Sequence, residues 1–361
     1  MDPQLLLFRR QYLQLLEPDF LAWPPKQLLK DPDVQSWLYR RLLYSETNDR
    51  VPPERYQLRV LKPLLAKIEQ SVEDPEEDSI SDDLMSHLST LMASQLPSEL
   101  TAAQQKTYVT FSCLPPSTSN SSLDLGEPES TVTLLERRNL ISGSQTTGFR
   151  TWEAALHLGS YLLSLPPQHP HAISGKSVLE LGAGTGFLSI LCAKHLRATH
   201  MTTTDGDEGV VEALKENLFL NDLDEEGQDK GKLVTSVLRW GHGLKGTWVE
   251  EDCEAFPYDA VIGADITYDK VAISSLVATL RFLFALRPKL QVIISGAVRN
   301  TETFETFRQA CLRNKFCSEE IDFQPKSMRE QTALFYATAV PLKILSIRAG
   351  SSVDESGRNA V

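Results

Sequence analysis

Apolar residues recur with helical spacing through the first third of the chain. Leu5, Leu6, Phe8, Tyr12, Leu15 and Leu16 form one stripe, and Trp37, Leu38, Arg41, Leu42 and Tyr44 suggest a second. Proline pairs at 24-25 and 52-53 separate these pieces, and Asp33, after Pro32, is placed to N-cap the second helix. The run 73–78 is too polar for a core element and reads as a solvated loop, after which 81–92 returns to helical spacing. Residues 1–112 are therefore expected to form a helical module, and 113–130, rich in Ser, Pro, Thr and Asn, a linker or surface loop. From 131 the pattern changes. A strand is expected at 131–136 and an amphipathic helix at 152–163, followed by strands at 177–182, 199–205, 233–239, 258–266, 291–297 and 332–340, with a weaker candidate at 318–323. Helical stretches at 186–197, 209–220, 271–286 and 301–314 lie between them. Runs such as Ala-Val-Ile at 260–262 and Val-Ile-Ile at 292–294 are continuously apolar, as parallel strands covered on both faces should be. The expected class is α/β, a doubly wound Rossmann-like sheet over 131–346, with a patternless, disordered tail at 347–361.

Composition narrows the field. The 361 residues are 41% hydrophobic and 23% charged, enough for a large core, and the net charge of -12 argues against gripping nucleic acid through its phosphates. A basic or neutral protein partner suits the balance better. The five cysteines, at 113, 192, 253, 311 and 317, include no C-x-x-C pair, which suits a reducing compartment and offers no zinc site; no metal is expected. No secretory leader and no membrane-length apolar run is read, so the expectation is a cytoplasmic protein with no membrane partner.

The chemistry gathers at 177–189, which reads as strand, glycine turn and helix start. Gly182, Gly184 and Gly186 are spaced G-x-G-x-G, and the third glycine falls one position short of the dinucleotide fingerprint. Asp205 follows about 20 residues later, where an acid can accept hydrogen bonds from ribose hydroxyls. S-adenosyl-L-methionine, with one ribose and no pyrophosphate, fits that arrangement. In an open parallel sheet the ligand lies beyond the carboxyl ends of the strands, which makes Trp240 and Ala264-Asp265 further candidates, Trp240 as a cover for an adenine ring. Trp152 opens a helix ahead of the first sheet strand, in a segment able to fold over the methionine end. Each residue has a plainer reading beside this one: the glycines as a tight turn, Asp205 as one of several acids opening the next helix, both tryptophans as packing, and Asp265 as a strand-end acid bonded to backbone amides.

With those residues in hand, the chain resembles the seven-strand class I methyltransferases, and within them the eukaryotic elongation factor 2 lysine methyltransferase family. The likeness rests on Thr146-Thr-Gly-x-x-Thr-Trp152, Val178-Leu-Glu-Leu-Gly-x-Gly184, Ala264-Asp-x-x-Tyr268 and Val298-Arg-Asn-x-Glu-Thr303, with a leucine- and arginine-rich start at 5–10. Gln145, where a glycine is usual, and a longer acidic loop near 224–229 depart from the family pattern. The resemblance implies cofactor contacts at Trp152, Gly182, Ala183, Gly184, Asp205, Trp240 and Ala264, with Asp265 and Tyr268 facing the substrate amine. It also implies a protein substrate, elongation factor 2, docked with help from the N-terminal module. Two rival readings stand beside it: a methyltransferase of small amines or other protein residues, and a non-catalytic interaction protein that binds the cofactor.

The expected chemistry is attack by a neutral lysine amine on a sulfonium methyl, with positioning the main contribution of the protein. A carboxylate stabilises the charged amine, so Asp265 is assigned to binding and orienting the lysine rather than to lowering its pKa.

Overall fold

A computed structural model describes residues 2–44, 50–74, 78–98, 101, 105–115, 129–138, 147–223, 232–241 and 243–350. Most of the expected linker, the acidic stretch 224–229, Gln145 and Thr146, part of the polar run 73–78 and the residues after 350 lie outside them. The chain divides into two compact units, one of Met1–Arg150 with Met328–Phe335, the other of Thr151–Ser327 with Tyr336–Val361.

The first unit begins with α1 (Pro3–Leu13), capped by Asp2, whose carboxylate accepts the Gln4 N–H at 2.7 Å. Leu5, Phe8 and Tyr12 of the expected stripe are buried. The helix stops before Leu15, which takes a left-handed backbone (φ 59°). Arg138 donates to the carbonyls of Gln14 and Leu15 at 3.2 and 2.8 Å, supplying partners that the helix end lacks. After α2 (Lys26–Leu29), α3 (Pro32–Leu38) runs into a π turn at Tyr39–Leu43. Its N-cap is Asp31, accepting from Asp33 N, and not the expected Asp33: proline favours the first helical position, which puts the cap one residue before Pro32. α4 (Glu54–Glu69) buries Leu61, Leu64 and Ile68, and α5 (Asp82–Ala93) packs on it.

The unit is not purely helical. β1 (Thr107–Ser112) pairs antiparallel with β2 (Thr131–Glu136), Thr107 opposite Glu136 and Ser112 opposite Thr131. That pairing draws 131–136 into the first unit, and the division falls after Arg150 where the sequence suggested 130.

In the second unit α6 (Glu153–Ser164) precedes β3 (Ser177–Leu181), α7 (Phe187–Lys194), β4 (His200–Asp205), α8 (Glu208–Phe219), β5 (Leu233–Val237), α9 (Trp248–Ala255), β6 (Ala260–Ala264), α10 (Lys270–Leu286), β7 (Gln291–Ala297), α11 (Thr301–Arg313), β8 (Phe316–Ile321) and β9 (Leu342–Ala349). The sheet order is β5-β4-β3-β6-β7-β9-β8. The first five strands are parallel, and β9 runs antiparallel between β7 and β8. Leu179, Val261, Leu276, Leu280, Val292 and Ile294 belong to one buried cluster. The doubly wound α/β class is as expected.

Two further expectations are corrected. Residues 332–340 form no strand: Ala333, Leu334, Phe335 and Tyr336 are buried without ladder partners, and the strand lies at 342–349. The chain crosses between units in that stretch, and Phe335 N donates to the Gln14 side chain at 3.0 Å inside the first unit, so its polar backbone is satisfied outside the sheet. A tail is expected from 347, but Ile347, Arg348 and Ala349 pair with Ser318, Cys317 and Phe316; the rest of that expectation, after 350, lies outside the described residues.

Candidate active site at the carboxyl ends of the strands

The chain leaves β3 through a turn that only glycine can make. At Gly182 (φ +66°) a Cβ would fall 2.6 Å from Ile266 Cγ2 and 3.5 Å from the Trp240 ring. At Gly186 (φ +84°), the N-cap of α7, it would fall 2.1 Å from Leu214 Cδ1. The positive φ strains any side chain at both positions, and a Cβ would also have to displace Ile266 or Leu214. The turn is anchored from several sides. Ala183 N donates to Thr204 O at 2.9 Å, Asn217 of α8 donates to Thr185 O at 2.9 Å, and the Thr151 and Thr185 hydroxyls bond each other at 2.7 Å. Thr151 sits beside the expected Trp152, so that bond ties the segment ahead of α6 to the glycine turn.

Asp205 ends β4 with its carboxylate against this turn: Oδ2 accepts Gly184 N and Oδ1 accepts Asp207 N, each at 3.1 Å. Burial pushes its carboxyl above the ordinary value, while the N–H groups of Asp207, Gly184 and Gly206 hold the charged form and pull it back. The helix-opening role belongs to Asp207, whose Oδ1 accepts from Gly209 and Val210 at the start of α8. Two acids in one short segment thus have separate jobs. Trp240, just past β5, is half-buried against the core with its indole edge beside Gly182. Residues 182–184, Asp205 and Trp240 therefore gather at one end of β3, beside β6, where the strand order reverses.

At the end of β6, Ala264 pairs with Ser295, and just past it Asp265 N donates to Ser295 O at 2.8 Å. Asp265 takes φ +54°, a conformation that short polar residues tolerate best. Its carboxylate accepts Ala297 N at 3.2 Å on Oδ1 and Arg299 Nη1 at 2.8 Å on Oδ2, and the side chain is 10% exposed. Arg299 also reaches Glu153 Oε2 at 3.6 Å, and its guanidinium carbon lies 5.3 Å from the centre of the Trp152 ring. Trp152 and Asp265, far apart in sequence, are joined by that one side chain. Tyr268 is 60% exposed, immediately before Asp269, the N-cap of α10.

Sequence reasoning passed over Thr151, Glu153, Ile266 and Arg299. Thr151 and Arg299 stand inside the segments that carried the resemblance, and their residue types alone gave no role. Asn300 and Glu302 explain the rest of the last segment: Asn300 caps α11 by accepting Thr303 N at 3.1 Å, and Glu302 pairs with Lys270 at 2.7 Å.

The sheet order and the glycine turn after β3 are those of a doubly wound domain of the methyltransferase class. Residues 138–311 match the family described as lysine methyltransferase. Protein-lysine N-methyltransferase EFM3 of Chaetomium thermophilum is 44% identical over 347 residues, covering 96% of this chain and 98% of that protein. EFM3 of Saccharomyces cerevisiae is 37% identical over 50% of this chain and 53% of its own length, and human protein-lysine N-methyltransferase EEF2KMT is 34% identical over 49% and 53%. The chain belongs to the lysine methyltransferase family.

Glu180 lies on β3 beneath the site. Burial pushes its carboxyl up to about 8, against the pull of the Ser189 hydroxyl that donates to it; Thr203 donates in turn to Ser189 at 2.7 Å. Its value in an unfolded chain is about 4.3. The folded protein therefore holds a proton that the unfolded chain releases, so this contribution to stability is complete below about pH 4 and is lost as pH rises towards 8. Glu180→Gln is expected to remove a fall of up to about 1.4 kcal/mol per pH unit between pH 5 and 8. Urea denaturation of both proteins across that range measures it, and equal slopes would refute it.

Proposed function

We propose that this lysine methyltransferase transfers a methyl group from S-adenosyl-L-methionine to a lysine side chain of translation elongation factor 2 in the cytoplasm. The observation that carries the cofactor assignment is the gathering of residues 182–184, Asp205 and Trp240 at the ends of three adjacent strands and turns. The choice of substrate rests on the protein-lysine N-methyltransferase relatives and the motif resemblance to the elongation factor 2 enzymes. The free thiols, four buried and Cys317 exposed, suit a reducing compartment. Among the described residues no helix is long and apolar enough to cross a membrane.

The residues present fit the cofactor. Gly182 offers bare backbone beside the Trp240 indole, and the Asp205 carboxylate has lone pairs for ribose hydroxyls beyond those taken by Gly184 and Asp207. Trp152, Ala183, Gly184 and Ala264 complete the holding set. When bound, S-adenosyl-L-methionine supplies an electrophilic methyl group on a sulfonium. Asp205 fixes the ribose end and Trp240 covers the adenine face, which leaves the end of β6 for the substrate. There Asp265 binds and orients the lysine, and Tyr268 lines its approach. A free lysine has a pKa of about 10.4 and reacts only as the neutral amine, so the site must recruit a cation and then let its proton go.

Recognition of the whole protein substrate is assigned to the N-terminal helical unit. Met85 and Met92, 44% and 61% exposed on α5, offer it an adaptable apolar surface.

Incubation with tritiated cofactor and cell lysate is expected to label one band at the mass of elongation factor 2, which disappears when that factor is depleted. A lysate with no labelled band would sink the reading. Asp265→Asn, which tolerates the left-handed backbone, should keep the heat of binding of S-adenosylhomocysteine in calorimetry while kcat/KM falls about 10- to 100-fold, the worth of one charged hydrogen bond. Full activity in that variant would remove Asp265 from the reaction. Replacing Met85 and Met92 by Glu should raise KM for the protein substrate about tenfold at unchanged cofactor affinity, as for about 1.4 kcal/mol of lost contact; an unchanged KM would take α5 out of docking.

A further inference from the structure

We propose that Arg299 is a positioning residue that sets the charge met by the incoming lysine, holding Asp265 and Glu153 so that the amine is recruited as a cation yet released as a neutral nucleophile. This rests on the reading of Asp265 as the acid facing the amine. Arg299 stands two residues past β7, and its Nη1 meets Asp265 Oδ2 at 2.8 Å while Nη2 faces Glu153 Oε2 at 3.6 Å. The Trp152 ring lies 5.3 Å from the guanidinium carbon. One planar cation thus joins the end of β6, the start of α6 and the end of β7, and the fixed fork of arginine holds both acids in a way that a flexible ammonium would not.

The charge sum gives the arrangement its chemistry. The guanidinium lies 2.8 Å from the Asp265 carboxylate, so an arriving ammonium meets an acid whose field is partly offset. Without Arg299 the amine would face the Asp265 carboxylate without that cation, which favours the charged, unreactive form. With it, attraction remains for recruitment, and the fixed cation favours loss of the proton to water. The remaining charges on adjoining elements are committed elsewhere: Lys270 of α10 pairs with Glu302 of α11 at 2.7 Å, and Asp269 accepts Val271 N at 2.8 Å. Tyr268 adds a phenol at the rim. Arg299 itself is 43% exposed, so solvent screens part of its effect and the expected shift is at the lower end of what a close charge produces.

The test is the pH dependence of kcat, with S-adenosyl-L-methionine and recombinant elongation factor 2 both saturating, because that profile reports groups in the bound complex. In Arg299→Gln the rising acidic limb should move up by about one pH unit. Arg299→Lys, which keeps the charge, should bring the limb back towards the wild type even where its kcat stays low. Glu153→Gln, which removes one negative charge, should move it down. A merely structural role would lower kcat at every pH and leave the limb in place, and that result in Arg299→Gln overturns the proposal. Should Arg299→Gln fail to fold, an unmoved or rising limb in Glu153→Gln overturns it equally. Calorimetry with S-adenosylhomocysteine should give the same affinity in all four proteins, and loss of binding in Arg299→Gln would place the residue on the cofactor instead. A wild type that labels no elongation factor 2 refutes the substrate assignment, whereas a labelled factor with unmoved limbs refutes only the role of Arg299.

Discussion

The entry of Ile266 between the ends of β3 and β6 is the contact on which the site depends. Its side chain comes within 2.6 Å of where a Cβ would stand on both Gly182 and Gly263, so any larger residue at either strand end would have to displace it. Turning Ile266 inward requires the chain to double back at Asp265, which takes a left-handed backbone worth about 1–3 kcal/mol of strain. Burial of the isoleucine returns about 1.5–3 kcal/mol. The charged hydrogen bonds from Ala297 and Arg299 to the Asp265 carboxylate add stabilisation on the same side. The strained acid is thus held by its neighbours, and the same turn that packs Ile266 against Gly182 fixes where the Asp265 carboxylate sits.

Two acids stand at the ends of β4 and β6, the parallel strands on either side of β3, and are treated oppositely. Asp205 is met by backbone N–H groups, neutral donors that leave its negative charge uncancelled. Asp265 is met by a guanidinium, which offsets part of its charge. The difference comes from the segment into which each neighbouring strand continues. Beside Asp205 lies the glycine turn after β3, which has only backbone to offer; beside Asp265 lies the segment after β7, which delivers Arg299. Glu180, in the middle of β3, shows the third case: an acid with a hydroxyl for company and no cation, pushed towards its neutral form.

These environments were unequally legible in the sequence. The glycine turn, Asp205 and Trp240 could be read because each obeys a local rule: a strand, a turn needing positive φ, and an acid at a set distance along the chain. The parallel strands could be read because burial on both faces makes them continuously apolar. Arg299 could not, since its role arises only when three elements distant in sequence meet, and a lone arginine after a strand has no local signature. The strand expected at 332–340 failed for a related reason. An apolar run records burial and not what the backbone pairs with, and Ala333 to Tyr336 are buried as a crossing segment while the ladder begins at Leu342. The pairing of β1 with β2 was hidden by the same limit, because the partner of an isolated short strand is set by tertiary contacts that periodicity does not carry.

The two tethers on the segment ahead of α6 act from different sides, and that settles what the segment can do. The Thr151 hydroxyl holds it to Thr185 in the glycine turn, while Trp152 and Glu153 are held by Arg299 at the end of β7. A residue pinned at one point could swing, but adjacent residues pinned to two different strand ends cannot move without breaking one of the bonds. The first tether is neutral and insensitive to pH; the second is ionic, and Arg299 is partly open to water. Salt or a competing charge therefore loosens the amine side of the segment while the turn side stays fixed. On the proposed reading an arriving ammonium is such a charge, drawing on Asp265 while Arg299 also meets Glu153. Asp265 and the acid that opens α6 share one cation, so whatever engages the first acts on the side of the segment that carries Trp152.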